Sequence, residues 1–262
     1  MDNARDTNDQ LSLPDWTDEA AVRGYQTWDS TICWLFGYTF IPTQLALGID
    51  TVSRLLDLGC GAGKVARWMA STFDVQVIGV DSSSAMLDLA SDDSDARVSY
   101  YLADGTRMSF LADASIDAAM ACFVFNCISD SELAQRLATE VGRVVRPGGR
   151  FCILTPHPDH VGGARFESFQ RGRVGEKYRP GDLVPLHIKR LDYTWTHSAN
   201  VYWPTSSYLE WLTRAGFVVA DCMAPVLADV NGMANSPSIN SGKWVLERTV
   251  APFLLITGER TW

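Results

Sequence analysis

The chain has 262 residues, 47% of them hydrophobic, enough for one sizeable core with room for a small appended lobe. A net charge of −9 without any Lys/Arg run argues against a phosphate-binding surface, so no nucleic acid is expected as partner. The six cysteines are scattered without Cys-x-x-Cys pairs, the first fifteen residues lack a basic-then-apolar leader, and no apolar run spans a bilayer; a cytoplasmic protein without membrane contact is expected.

Residues 1–14, rich in Asp and Asn and ending at Pro14, have the composition of a mobile tail. Thr17-Asp18-Glu19 is a helix start. From Ala20 to Leu47, Tyr25, Trp28, Ile32, Trp34, Leu35, Phe36, Tyr38 and Phe40 recur at partly helical spacing, so 15–50 reads as a helical layer. Next, the apolar Leu55-Leu56 leads into Asp57-Leu58-Gly59-Cys60-Gly61-Ala62-Gly63-Lys64, the pattern of strand, tight turn and helix. In a doubly wound sheet that turn lies at the carboxyl edge, where ligands bind. Spacing narrows the ligand. Lys64 stands where a dinucleotide fingerprint needs its third glycine, and Leu58 and Val65 replace the first glycine and the hydroxyl residue of a phosphate-binding loop.

Val75 to Asp81 is an alternating strand that ends in an acid, where a second strand delivers a ribose-binding carboxylate. Ser82-Ser83-Ser84 opens the following helix. A third strand, from Val98, ends at Asp104-Gly105, and a fourth runs from Ile116 through Cys122 to Asn126 without polar alternation. Ser131–Val145 is an amphipathic helix stopped by Arg146-Pro147-Gly148-Gly149, and the fifth strand follows from Arg150 to Thr155.

The run Asp57-x-Gly-x-Gly-x-Gly63, with acids at three successive strand ends, resembles the class I S-adenosylmethionine (SAM) dependent methyltransferases, as does Glu140 to Leu154. The resemblance implies an α/β fold: a doubly wound, mostly parallel seven-stranded sheet with one antiparallel strand and a helical lid over the cofactor, within one domain, 15–262; the long connection after the fifth strand is expected to form an inserted lobe. The resemblance also implies SAM held by Asp57, Gly59, Cys60, Gly61 and Gly63 in the turn, Asp81 on the ribose, Ser82 and Met86 beside the adenine, Asp104 and Gly105 in the adenine motif, Cys122 at the end of the fourth strand, and Tyr25 of the lid near the SAM carboxylate. Where family members often carry a His-His pair, this chain has Asn126-Cys127, so Asn126 can orient a substrate but not take its proton. There is no Asn/Asp-Pro-Pro-aromatic run after the fourth strand, which nucleic-acid amino-methylating enzymes use. The expected activity is methyl transfer to an O, N or C nucleophile of a small molecule. Two alternatives stay open: another reaction of the sulfonium, or a non-catalytic partner-binding subunit.

The connection 156–204 is long, so it is expected to be functional. Leu186 to Tyr202 alternates around Thr196-His197-Ser198, the pattern of a hairpin turning there. Tyr193, Trp195, Tyr202 and Trp203 are candidate walls of the acceptor pocket, or a small core of the lobe itself. All four histidines fall in this segment. His157 and His160, just past the fifth strand, are candidate general bases; lacking a third firm ligand, they are not read as a metal site. The helix Ser206–Ala215, the strand from Gly216 to Cys222, a polar loop through Asn231-Gly232 and Ser236–Gly242, and the strand Pro252–Thr257 complete the chain.

Overall fold

The structure is a computed structural model that describes residues 11–48, 52–93, 95–230 and 242–261. Its strands are β1 (Arg54–Leu58), β2 (Gln76–Asp81), β3 (Val98–Leu102), β4 (Ile116–Cys122), β5 (Val145–Pro156), β6 (Phe169–Arg171), β7 (Leu183–Lys189), β8 (Trp195–Val201), β9 (Phe217–Met223) and β10 (Phe253–Arg260). Seven of them form one sheet in the order β3-β2-β1-β4-β5-β10-β9, with β10 antiparallel to both neighbours. The polar loop read at Asn231-Gly232 and Ser236–Gly242 falls almost wholly outside the described residues.

The helices are α1 (Glu19–Gln26), α2 (Thr31–Phe36), α3 (Ile41–Gln44), α4 (Lys64–Phe73), α5 (Ser84–Ser91), α6 (Ser131–Val144), α7 (Thr205–Arg214) and α8 (Leu227–Val230). Strand alternation sorts them onto two faces. Leu56, Leu58, Val80, Ala119 and Ile153 point to the face covered by α6 and α7, through Leu137, Val141, Tyr208 and Trp211. Leu55, Val77, Met120 and Leu154 point to the other, where Ala66 and Met69 of α4 are joined by Ile32, Phe36 and Ile41 of the N-terminal layer.

The connection 156–204 holds a separate antiparallel sheet, β6-β7-β8. Phe169, Leu186 and Ile188 pack into the core on the α4 side, whereas Val201 and Trp203 pack into the core on the α6 side. The lobe therefore straddles the sheet.

Four expectations need correction. The N-terminal layer breaks at 27–30 instead of continuing helically, and residues 27–29 pair with the lobe through Asp29 N–H to Lys189 O (2.9 Å) and Leu191 N–H to Thr27 O (2.8 Å). Leu13 packs against the core and Pro14 lines the central cavity, so the tail is not free up to 14; residues 1–10 lie outside the described ones. The hairpin turns at Arg190–Thr194, not at Thr196-His197-Ser198, which lie within β8 with His197 opposite His187. Lastly, β5 begins at Val145, straight out of α6, and absorbs the Pro147-Gly148-Gly149 stretch with a shift of register against β4.

Candidate active site

The glycine turn between β1 and α4 needs left-handed backbone three times, with φ of +70°, +51° and +70° at Gly59, Gly61 and Gly63. The N–H groups of Gly59 and Cys60 both donate to Val80 O, at 2.7 and 3.1 Å, which fastens the turn to the end of β2. A side chain on Gly61 would meet nothing within 4 Å, so this glycine faces open space. Its N–H donates to Asp81 Oδ2 at 2.7 Å, and Ser83 N–H donates to Asp81 Oδ1 at 2.9 Å. Burial raises the Asp81 carboxyl, and these backbone donors oppose the rise. Deeper still, Asp57 is pushed up to about 7, first by burial and then by the charge of Asp81.

A cavity of about 540 Å³ runs along the carboxyl edge of the sheet. One half is lined by Tyr25, Gly59, Gly61, Asp81, Ser82, Met86, Asp104 and Cys122. Asp57 and Cys60 line a small adjoining recess of about 60 Å³. Gly63 and Gly105 line neither: Gly63 packs under Tyr100 and Arg67, and Gly105 against Leu58 and Leu137, so their part is to hold the turn and strand end in place. Tyr25 meets Trp16 and Trp28 edge to face, at centroid distances of 5.9 and 5.3 Å, and burial lifts its phenol to about 12, leaving it a permanent donor. The Ser83 hydroxyl donates to Trp16 O, pinning this aromatic cover to the start of α5.

The other half is walled by the lid, the segment after β4 and the lobe. Phe123 adopts φ +59°, a conformation a bulky residue rarely takes, and its ring meets Tyr38 and Phe253. Asn126 lines this half and is 3% exposed. Asp29 lines it too; its Oδ1 accepts from Thr31 N–H at 3.0 Å, and its Oδ2 from the Ser168 hydroxyl at 3.4 Å.

Several expected residues stand elsewhere. His157 and His160 are half-buried against each other, ring centroids 4.5 Å apart, and line no part of the cavity. Pro156 is the residue of this stretch that lines the cavity, and the His160 ring meets Phe166 instead. None of the four candidate aromatics lines it either. Tyr193 sits at the exposed hairpin tip (70% exposed), and Trp195 lies at the outer end of β8 under Arg165. Tyr202 faces Tyr178, while Trp203 is buried and its indole N–H donates to Ile128 O at 2.8 Å. The lobe instead reaches the cavity through Ser168, Phe169, Leu186, Ile188, Ser198, Ala199 and Asn200. Sequence reasoning also passed over Asp29, Lys64 and Asn200, all of which line the cavity. The signal for Asp29 was an acid in the polar break Trp28-Asp29-Ser30 between apolar helical runs; for Asn200 it was an amide between Ala199 and Val201 at the apolar end of a strand. Among the described residues no group of three or more His, Cys, Asp or Glu is placed to hold a metal ion.

The cavity's polar groups fit SAM. Asp81 and Asp104 can accept from ribose hydroxyls and an adenine amino group, Met86 offers an apolar surface to the ring, and Lys64, at the start of α4 and in both lining sets, suits a carboxylate. Strand order, the single antiparallel strand and the glycine turn together define a class I methyltransferase fold. The family described as a methyltransferase domain matches residues 56–153. N-demethylindolmycin N-methyltransferase of Streptomyces griseus is 32% identical over 222 residues, covering 82% of this chain and 93% of that protein. The 27-O-demethylrifamycin SV methyltransferase of Amycolatopsis mediterranei is 35% identical over 154 residues, 55% of this chain and 51% of that one. Among solved structures, the CcbJ methyltransferase of Streptomyces caelestis superposes with a TM-score of 0.64 over 95% of this chain and 100% of its own, at 15% identity. The chain belongs to the SAM-dependent methyltransferases, and SAM is its cofactor.

Proposed function

We propose that this enzyme methylates a nitrogen of a small molecule with an apolar body. The observation that carries the reading is the acceptor half of the cavity, where Asp29 is the one carboxylate and no histidine contributes among the described residues. A hydroxyl acceptor needs a base to uncover its nucleophile during attack, whereas an amine needs only to arrive and shed its ammonium proton. SAM, when bound, supplies a methyl group on a positively charged sulfur. Asp29 would hold the incoming ammonium and take its proton; the apolar walls of lid and lobe would keep water from the nucleophile. The cavity of about 540 Å³ has to take cofactor and acceptor together, which supports a small acceptor. The name of the Streptomyces griseus relative points to nitrogen as well.

A protein free of nucleic acid is supported by the charge of −9, and a cytoplasmic one by six unpaired cysteines. No described helix is long and apolar enough to cross a membrane.

The test is incubation with SAM and matched amine and alcohol pairs of arylalkyl compounds, with S-adenosylhomocysteine and methylated product followed by mass spectrometry. Amines should be methylated. Asp29→Asn should lower kcat/KM by about tenfold or more, as for loss of a charged partner, with affinity for S-adenosylhomocysteine unchanged. Methyl transfer to the alcohols alone overturns the reading.

A further inference from the structure

Two buried carboxamides on the acceptor half have no partner for their oxygens. Asn126 is 3% and Asn200 5% exposed, both line the cavity, and the Oδ1 of each is buried without a hydrogen bond among the described residues. Their nitrogens are already engaged: Asn200 Nδ2 donates to Ala199 O at 3.3 Å, and Asn126 Nδ2 faces Cys127 Sγ at 3.7 Å. The two amides belong to one wall, since β8 packs directly on the Phe125–Cys127 turn. A buried carbonyl oxygen without a donor is costly, and native proteins leave few of them. Both residues line the space that must receive the methyl acceptor.

We infer that Asn126 and Asn200 form a donor-reading site, whose two free oxygens accept hydrogen bonds from N–H groups of the acceptor. This rests on the nitrogen reading above and deepens it. The enzyme takes primary or secondary amines, or heterocycles carrying a ring N–H, on an apolar frame. Tertiary amines, whose ammonium carries a single N–H that Asp29 engages, and ring nitrogens without hydrogen are rejected, because they would seal both oxygens away from water with nothing left to accept from. The pair selects by hydrogen bonding, while Asp29 answers the charge.

The probe is a panel of arylalkylamines, each as the primary, secondary and tertiary amine, titrated into the complex of the protein with S-adenosylhomocysteine. Primary and secondary members should bind about tenfold or more tightly than their tertiary partners, the discrimination expected of one unmet buried acceptor. Asn126→Leu and Asn200→Leu, close to isosteric, should abolish the discrimination while affinity for S-adenosylhomocysteine stays as in the wild type. Asn126→Asp and Asn200→Asp keep an accepting oxygen and should retain it, which also guards against a variant that merely misfolds. Arg171 lies behind the same wall, donating Nη2 to Val201 O at 2.6 Å and leaving Nε and Nη1 unpartnered among the described residues. Should water bridged to Arg171 satisfy the two oxygens, the leucine variants will bind every amine as the wild type does, and the inference falls. It falls equally if no primary or secondary amine binds, or if tertiary amines are methylated as readily; the last result leaves nitrogen methylation standing.

Discussion

Asp57 shows at the scale of one residue how a site opposes stability. Its carboxyl, 2% exposed, stays protonated in the folded protein up to pH about 7, whereas in the unfolded chain it ionises above about 4. Between those values unfolding releases a proton, so its contribution to stability is present at low pH and lost as pH rises through 7. Asp57→Asn removes that burden. Measured by urea unfolding without ligand, the variant should gain on the wild type by roughly 2–4 kcal/mol between pH 4 and pH 8; a difference constant with pH would show that Asp57 is not held protonated. Trp203 and Tyr193, read from the sequence as pocket walls or as core of the lobe, give a second contrast. Trp203→Ala should cost about 3–5 kcal/mol through the cavity left in the core and the lost bond to Ile128 O. Tyr193→Ala, at the exposed tip, should stay within about 0.5 kcal/mol. Neither should alter acceptor specificity, and a specificity change in Tyr193→Ala with stability intact would return it to the pocket.

Between elements, the decisive contact is the backbone pairing of the lid break, residues 27–29, with the tip of the β7-β8 hairpin. It brings Asp29 beside Ser168 of the lobe and closes the acceptor half from above. Leu191 is 65% exposed, so Leu191→Pro removes its N–H bond to Thr27 O with little loss of packing. Amide exchange should quicken over residues 19–36 and stay unchanged in β1, β4 and β5, and the acceptor KM should rise by roughly two- to tenfold. Exchange that quickens evenly across the chain would mean the clasp is not a local unit. This contact shows where the sequence stops being legible. The central strands could be read because β1, β2 and β3 each lead to an acid at the same edge and β4 is a nearly unbroken apolar run, signals contained within one segment. The hairpin could not be placed by alternation alone, since period two continues through a turn. The real cue was local: Asp192 Oδ1 accepts from the N–H and the hydroxyl of Thr194, at 3.0 and 2.7 Å, an Asx turn readable as Leu191-Asp192-Tyr193-Thr194. Which lobe residues face the cavity depends on pairing between segments more than a hundred residues apart, and no spacing rule within the lobe reports that.

At the scale of the whole molecule, two cores flank the sheet, and the cavity lies where the sheet edge, the lid and the lobe meet. Each of the three contributes wall, so a ligand that fills the cavity ties them together, and binding should read out as global stability. At a free S-adenosylhomocysteine concentration of about 100 times its Kd, mass action adds about 2.7 kcal/mol. For a chain of this length that is a rise in Tm of roughly 5–10 °C. Asp81 lines the cavity and is the acid proposed for the ribose, so Asp81→Ala should weaken affinity by about 2 kcal/mol, the loss expected for charge-assisted bonds. At the same ligand concentration only about 0.9 kcal/mol of the stabilisation then survives, and the Tm rise shrinks to roughly 2–3 °C. Asp81 also accepts from Gly61 and Ser83 N–H, so the variant's own Tm without ligand must be the baseline. A variant that keeps the full ligand-induced rise from that baseline would remove Asp81 from the ribose site; one whose rise shrinks as stated places the strand-end acid on the cofactor.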